Sequence, residues 1–375
     1  MLKLPGKLTA ETFLARHWQK KPLFMPAALE RLRPAVTRNE LAWLATLDDV
    51  ESRIVFTDRS GAALRYRATS GPFDPDYLAA LPPRDWTLLV HDVEKHLPAL
   101  RKLFACIPFV PDWRCDDLMI SFAAPGGGVG PHLDNYDVFL CQGIGVREWR
   151  VTSAPLAASP ESSRDLALLE EFSGTVHVAR EGDVLYVPPG VAHWGTAQRA
   201  CLTYSLGMRA PQLSDLADTL PDEERSSTFY RDPDLATTES QPGRISERAI
   251  ARAAALVVGT GAVSNDVARS LGETVTATKD WLTPAAADEN EVRALLQRLQ
   301  RGASLTLHGM ARIAFDRRFV FVNGRSRSLP AGAADIVAGI CARRELRGPL
   351  PAGEAVTQLV AWMLQTGAFE LPGNL

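Results

Sequence analysis

Gly130-Pro131-His132-Leu133-Asp134 and, further along, Asp183-Val184-Leu185-Tyr186-Val187-Pro188-Pro189-Gly190-Val191-Ala192-His193 are the stretches on which the reading of this sequence turns. Together they spell His-x-Asp followed by a distant His. Along an extended strand, residues i and i+2 point to the same face. His132 and Asp134 can therefore grip one metal ion while a second strand supplies His193. Val187-Pro188-Pro189-Gly190 after an apolar strand reads as a rigid turn, which delivers His193 to the start of the next strand, Ala200 to Leu206. Two imidazoles and one carboxylate make the facial triad of non-haem Fe(II) oxygenases, which leaves adjacent positions open for a cosubstrate and O2. His177, in the strand Thr175 to Ala179, is the rival third ligand but lacks a positioning turn. His17, His91, His96 and His308 have no ligand-spaced partners and read as ordinary residues.

Working outward, residues Glu51 to Met208 alternate short apolar strands with Gly, Pro and Asp turns. The strands are Arg53 to Thr57, Thr87 to Val90, Leu118 to Ala123, Tyr136 to Gln142, Arg147 to Val151, Thr175 to Ala179, Val184 to Val187 and Ala200 to Leu206. Eight such strands predict a mainly β fold, a double-sheet jelly roll or double-stranded β-helix, with room for one metal and one small ligand. Before it, Thr9 to Leu32 reads as a helix, ended by Pro22, and an extended stretch. After Arg209 a polar connection, 210–243, leads to helices at Ser246 to Val258 and Ser264 to Leu271, with Ser246 and Ser264 as caps.

A composition shift near Trp281 opens a C-terminal unit. It has a helix at Asn290 to Gln300, a strand at Leu305 to Leu307, and a hairpin, Arg312 to Asp316 with Arg318 to Val322. The Asn323-Gly324 turn pair closes that hairpin towards Ser326. Helices at Ala333 to Arg343 and Glu354 to Gln365 complete a unit similar to a winged helix. Its exposed helices are not strongly basic, so DNA binding is not expected and a protein-contact role fits at least as well. The domain expectation is 1–209, 210–275 and 276–375.

The 375 residues, 46% hydrophobic and 23% charged with net charge −3, exceed one typical domain and describe a soluble globular protein. No apolar run reaches membrane-spanning length, and the start Met-Leu-Lys-Leu-Pro-Gly has no signal-peptide core, so the expectation is a cytoplasmic protein. The near-neutral balance argues against nucleic-acid binding through bulk charge. Five scattered cysteines without a Cys-x-x-Cys pair read as reduced, mostly buried thiols.

Period-two bookkeeping extends the site. Tyr136, Val138 and Leu140 share the inward face of His132 and Asp134. Asp117, Met119 and Ser121 form one row on the strand before, either a pocket wall or a solvent-exposed face. A 2-oxoglutarate oxygenase needs a fixed cation for the distal carboxylate, and an Arg fork suits it best. Arg147, on the same face as Trp149 and Val151, is the candidate; the alternative is a surface salt-bridge arginine. Gly126-Gly127-Gly128-Val129-Gly130 is not a phosphate loop, since no Gly-Lys-Ser/Thr follows, and reads as a flexible turn into the ligand strand.

The run from Pro125 to Phe139 resembles the bacterial JmjC-type ribosomal oxygenases of the cupin superfamily, the YcfD or RoxA group of ribosomal-protein arginine hydroxylases. Trp18-Gln19-Lys20-Lys21-Pro22-Leu23, Tyr230-Arg231-Asp232-Pro233-Asp234 and the domain order are similar too. The resemblance implies a jelly-roll catalytic domain, a helical dimerisation region and a winged-helix-like C-terminal domain in a homodimer. It further implies Fe(II)-, 2-oxoglutarate- and O2-dependent hydroxylation of an arginine side-chain carbon in the sixteenth large-subunit ribosomal protein. On that basis His132, Asp134 and His193 hold the metal and are the catalytic set. Arg147 and Ser121 bind 2-oxoglutarate, and Asp117, Met119, Tyr136 and Ser205 hold the substrate arginine. Ala123 departs from relatives that carry a small hydroxyl residue there. The rival functions are a JmjC lysine demethylase or small-molecule hydroxylase, and a non-catalytic metal-binding cupin regulator.

Overall fold

The computed structural model describes residues 2–30, 32, 35–61, 63–155, 169–220 and 228–370. They form two compact units. The first is Met1–Phe109, Cys115–Arg209 and Pro233–Thr237, and the second is Val110–Arg114, Ala210–Asp232 and Thr238–Leu375.

The first unit is built from β1 (Leu23–Met25), β2 (Ser52–Asp58), β3 (Arg65–Ser70), β4 (Trp86–Val90), β5 (Cys115–Ala123), β6 (Val138–Gln142), β7 (Val146–Val151), β8 (Thr175–Arg180), β9 (Val184–Val187), β10 (His193–Arg199) and β11 (Cys201–Met208), with short helices α1 (Ala10–Arg16), α2 (Arg38–Leu44), α3 (Pro75–Ala79) and α4 (Val93–His96). One antiparallel sheet runs β1-β9-β6-β11-β5-β4-β2-β3 and a second runs β10-β7-β8. Between them lies a dry core. Val138, Leu140, Leu185 and Val187 of the large sheet meet Trp149, Val151 and Ala179 of the small one. This is the jelly roll that the alternation of apolar residues demands: Val138 and Leu140 face inward, while Phe139 faces outward, packed on Phe13 of α1 and on Tyr186.

Three strands escape sequence patterning for physical reasons. β3 is an edge strand, so most of its Arg-Tyr-Arg-Ala-Thr-Ser run stays at least partly exposed and carries no apolar alternation. β1 is only three residues long. β10 combines Gly195 with polar Thr196, Gln198 and Arg199, yet it pairs along β7. His193 thus opens its own strand, β10, rather than leading into β11. β6 begins at Val138, so Tyr136 precedes it instead of belonging to it.

Pro22 does not end the first helix. α1 begins with the Thr9 side chain accepting the Thr12 amide and closes at Arg16. The chain then turns through Gln19 at φ 54°, because tertiary bonds outcompete further helix. The Gln19 amide donates to Tyr186 Oη at 2.8 Å, and its side chain donates to Asp137 at 2.8 Å. Tyr186 in turn donates to Asp137 at 2.5 Å, and both are buried. All five cysteines are free thiols, four of them buried.

The second unit holds α5 (Leu213–Leu216), α6 (Glu247–Gly259), α7 (Val267–Thr276), α8 (Glu289–Gln300), α9 (Ala334–Arg343) and α10 (Glu354–Gln365). Its strands are β12 (Ser304–Thr306), β13 (Ile313–Phe315), β14 (Phe319–Val322), β15 (Arg325–Ser328) and β16 (Glu345–Arg347). Ser246 caps α6, but Asp266 rather than Ser264 caps α7, its carboxylate accepting the Arg269 amide. Asn323 and Gly324, both at positive φ, close β14 onto β15 as a primed two-residue turn. The β13–β14 turn instead hangs on Asp316, which accepts the Arg318 and Phe319 amides at 2.7 and 2.6 Å. Arg114 and Asp232, both fully buried, pair at 3.1 Å. Among the described residues no helix is long and apolar enough to cross a membrane.

The Tyr186 hydroxyl serves Gln19 and the charged Asp137 at once. Tyr186→Phe is expected to cost about 1.5–3 kcal/mol, read as a lowered midpoint in urea unfolding followed by tryptophan fluorescence.

Candidate metal centre and its surroundings

The segment 126–132 runs antiparallel along β10 and ties it to the large sheet. Gly126 N–H donates to Ala197 O at 2.7 Å and Ala197 N–H donates to Gly127 O at 2.9 Å. The last rung is a reciprocal pair: His132 N–H to His193 O at 3.1 Å and His193 N–H to His132 O at 2.8 Å. The glycines are needed for this close approach. A Cβ at Gly127 would lie 2.1 Å from Trp86 O, and one at Gly128 would lie 2.5 Å from Gly195 O. The run is therefore a tightly packed strip rather than a flexible turn.

That rung sets the two imidazoles 4.2 Å apart between ring centroids. Asp134 joins them because Gly190, at φ 76° after the two prolines, donates its N–H to Asp134 O at 2.8 Å. Donor atoms of His132, Asp134 and His193 all lie within 4.8 Å of one another, and among the described residues this is the group of metal-binding character. Each histidine spends Nδ1–H on a carbonyl, His132 on Gly130 at 3.0 Å and His193 on Val191 at 3.2 Å. Nε2 is left as the free donor, the usual arrangement around a ligating imidazole. Burial first, then the neighbouring His132, pushes His193 down to about 4, so its ring is neutral and ready to ligate. Two imidazoles and a carboxylate suit a divalent first-row transition metal. His177 stands apart from this group, stacked on Phe24 at 4.7 Å.

Deeper in the barrel, Arg147 of β7 is 2% exposed. Its Nη1 donates to Ser121 Oγ and Thr203 Oγ1 at 3.3 Å each, and its Nη2 donates to Gly195 O at 3.4 Å. The guanidinium lies 4.8 Å from the Trp149 ring centroid. Nε is buried without a hydrogen-bond partner, and no carboxylate pairs with Arg147 among the described residues. Burial alone pulls its pKa down. A buried cation surrounded by hydroxyls and lacking a counter-ion is a cradle for an anion. A Cβ at Gly195 would meet Trp149 at 2.5 Å and Arg147 Nε at 2.6 Å, so glycine keeps this cradle open.

At the other side of the ligands the wall is acidic. Asp117 and Met119 are half-buried on the inward face of β5, with Ser205 of β11 in register with Met119. Tyr136 is 42% exposed. Asp134 foremost, then partial burial, then Asp117 and Asp116 raise its phenol. Behind the wall, fully buried Glu94 accepts the Leu118 amide at 2.9 Å. Burial pushes Glu94 up to about 7; the Lys95 ammonium opposes this, and Asp117 and Asp92 add to it. Lys95 also pairs with Asp92.

The nine residues singled out from the sequence thus all belong to the first unit, with Ser121 on Arg147, Ser205 opposite Met119, and His132, Asp134 and His193 in one group. Sequence reasoning passed over Thr203, Gly195, Gly207 and His91. Thr203 had a signal, since it alternates with Ser205 and falls opposite Ser121. The two glycines and His91 had none, because their importance lies in contacts across strands.

Comparison with known proteins agrees with this geometry. A JmjC domain model matches residues 102–216. The chain is 39% identical over 229 residues to the ribosomal protein uL16 3-hydroxylase of Escherichia coli K12, covering 60% of each chain. It is 36% identical over 251 residues to a probable ribosomal oxygenase of Haemophilus influenzae, covering 65% of this chain and 59% of that one. It thus spans about three fifths of the length of these curated relatives. The structure of the ribosomal oxygenase YcfD from Escherichia coli, in complex with cobalt and 2-oxoglutarate, superposes over 100% of both chains with a TM-score of 0.74 at 28% identity. The matched segment contains β5 through β11 and with them His132, Asp134, Arg147 and His193, while β1 to β4 precede it.

Because folding raises the Glu94 pKa above its ordinary value, the folded state holds that proton more tightly than the unfolded chain. Stability is therefore lost as pH rises from about 4.5 through about 7. Glu94→Gln should flatten this fall, so the variant's Tm drops less than the wild type's between about pH 5 and about pH 8. Equal slopes would place the ionisation elsewhere.

Proposed function

We propose that the protein is an Fe(II)- and 2-oxoglutarate-dependent oxygenase that hydroxylates an arginine side-chain carbon of a large-subunit ribosomal protein, the sixteenth. The observation that carries this reading is the pairing of a three-donor metal group with a buried, uncompensated guanidinium in one barrel. The uL16 3-hydroxylase and the YcfD complex with cobalt and 2-oxoglutarate support it. When bound, the metal and 2-oxoglutarate supply the oxidant: decarboxylation to succinate and CO2 activates O2 for insertion of one oxygen atom into a C–H bond.

His132, Asp134 and His193 hold the metal through three donors and leave its remaining positions to the keto acid and O2. Arg147 receives the far carboxylate of 2-oxoglutarate, completing its own hydrogen bonds as it does so, and Ser121 and Thr203 orient it. The rigid setting of Arg147 between Trp149 and the two hydroxyls fixes how deeply the keto acid enters. Asp117 pairs with the substrate guanidinium, Met119 and Tyr136 pack along its methylene stem, and Ser205 adds a hydroxyl. The enclosing Val138, Leu140, Val151 and Val187 surface excludes water from the reacting end.

The decisive experiment loads the protein anaerobically with Fe(II) and supplies 2-oxoglutarate, O2 and arginine-containing peptides of the ribosomal protein. Succinate and a one-oxygen gain on the arginine are expected, and both should vanish in Asp134→Ala and His193→Ala. Loss of a methyl group instead would establish a demethylase, and metal binding with no succinate would leave a regulator.

We further propose that the protein is cytoplasmic, that 210–275 is a dimerisation region and that 276–375 is a winged-helix-like domain. The helical pair α6 and α7, and the three-stranded sheet β13-β14-β15 among helices, support this organisation. Light scattering on the full chain should return twice the 40.9 kDa chain mass. A single chain mass would overturn the dimer.

A further inference from the structure

Asp117 presents its two carboxylate oxygens to different surroundings. Oδ2 lies 3.3 Å from His91 Nδ1, and both side chains are less than a quarter exposed. A carboxylate only accepts, so Nδ1 carries the proton and donates. Oδ1 points the other way and packs against Gly207: a Cβ built there would fall 2.7 Å from Oδ1, and Tyr136 Cε2 would be 3.9 Å from that same Cβ. Gly207 lies opposite Val138 in the β11–β6 ladder and within the bulge that interrupts β11–β5 pairing. One oxygen is tethered to His91 and the other rests against bare backbone beside an aromatic ring.

His91 is itself held. It follows β4 directly, and its amide donates to Glu51 O at 2.9 Å. On the other side of Asp117 the Leu118 amide is fixed by Glu94. The imidazole therefore approaches the carboxylate from a set direction, and rotation of Asp117 about χ2 costs that hydrogen bond.

We propose that His91 is a positioning residue for the substrate: it locks Asp117 with Oδ1 against Gly207, beside Tyr136, so that the carboxylate meets a substrate guanidinium in one set orientation. This deepens the reading of the site as an arginine hydroxylase and rests on it. A guanidinium is flat and offers paired N–H donors in a fork, so it gains most from a carboxylate held in a fixed orientation. An ammonium is a rounder, strongly hydrated charge with rotatable donors and gains less from that orientation. His91 does not touch the metal ligands and acts only through Asp117.

The test compares His91→Leu, His91→Gln and Gly207→Ala with the wild type. Two readouts are used: KM and kcat on an arginine peptide, and calorimetric binding of that peptide to enzyme loaded with cobalt and 2-oxoglutarate without O2. Loss of a hydrogen bond to a charged group predicts that His91→Leu raises both peptide KM and Kd about tenfold or more, with kcat and the KM for 2-oxoglutarate within about twofold. His91→Gln, which keeps a donor, should recover most of the affinity. Gly207→Ala should weaken arginine peptide binding at least as much, whether or not His91→Leu folds. Unchanged peptide affinity in His91→Leu, failure of His91→Gln to recover it, or normal binding by Gly207→Ala would each overturn the proposal. A wild type that forms succinate yet neither binds nor oxidises any arginine peptide would overturn the arginine reading itself, and the role of His91 with it.

Discussion

Two peptide hydrogen bonds between His132 and His193 carry the architecture of this site. They are backbone contacts, insensitive to the identity of the side chains, and they stitch the end of the small sheet to the strip that enters the large one. Because the same two residues supply the imidazoles, the geometry that closes the barrel also sets the spacing of the metal donors. A barrel that gaped at this rung would lose its centre at once. The reverse coupling holds as well: a metal bound across the rung draws the two sheets together.

Beneath that rung the barrel tolerates an unbalanced charge. Arg147 is wrapped by Trp149, two hydroxyls and one carbonyl, and none of these neutralises it. Leaving such a group in the interior lowers stability, and a folded chain keeps it only where an anion arrives. The two sides of the ligand group are opposite in sign, cationic at Arg147 and acidic at Asp117. An anion and a cation are thus drawn to opposite sides of the ligand group.

The ligand pair His132 and Asp134 was legible from spacing alone, although not because the segment is a strand. It is an extended strip with a single bridge, and extended backbone alternates whether or not it belongs to a ladder. Val138, Leu140, Trp149 and Val151 were legible for the same reason, as period two survives wherever one face is dry. Where the backbone departs from alternation the sequence went silent. β10 carries its signal in Gly195, whose value is the space it leaves. β3 lies at an edge where no face needs to be apolar, and the turn at Gln19 obeys Asp137 and Tyr186 rather than the downstream proline. Gly127 and Gly128 look permissive in sequence, yet a Cβ on either would strike backbone. His91 has no partner within its own segment, since Asp117 reaches it from the adjacent strand.

These glycines give the barrel two ends of unequal adaptability. At 127, 128 and 195 the absent side chain is matched to backbone or to the packed Arg147 and Trp149, so almost any substitution must move a strand. The anion-binding end is in that sense frozen, and new chemistry cannot readily be bred into it one residue at a time. The opposite wall is half-exposed side chain: Asp117, Met119 and Tyr136 can be exchanged without displacing backbone. A lineage built on this framework would change its choice of substrate there while its cosubstrate stayed the same.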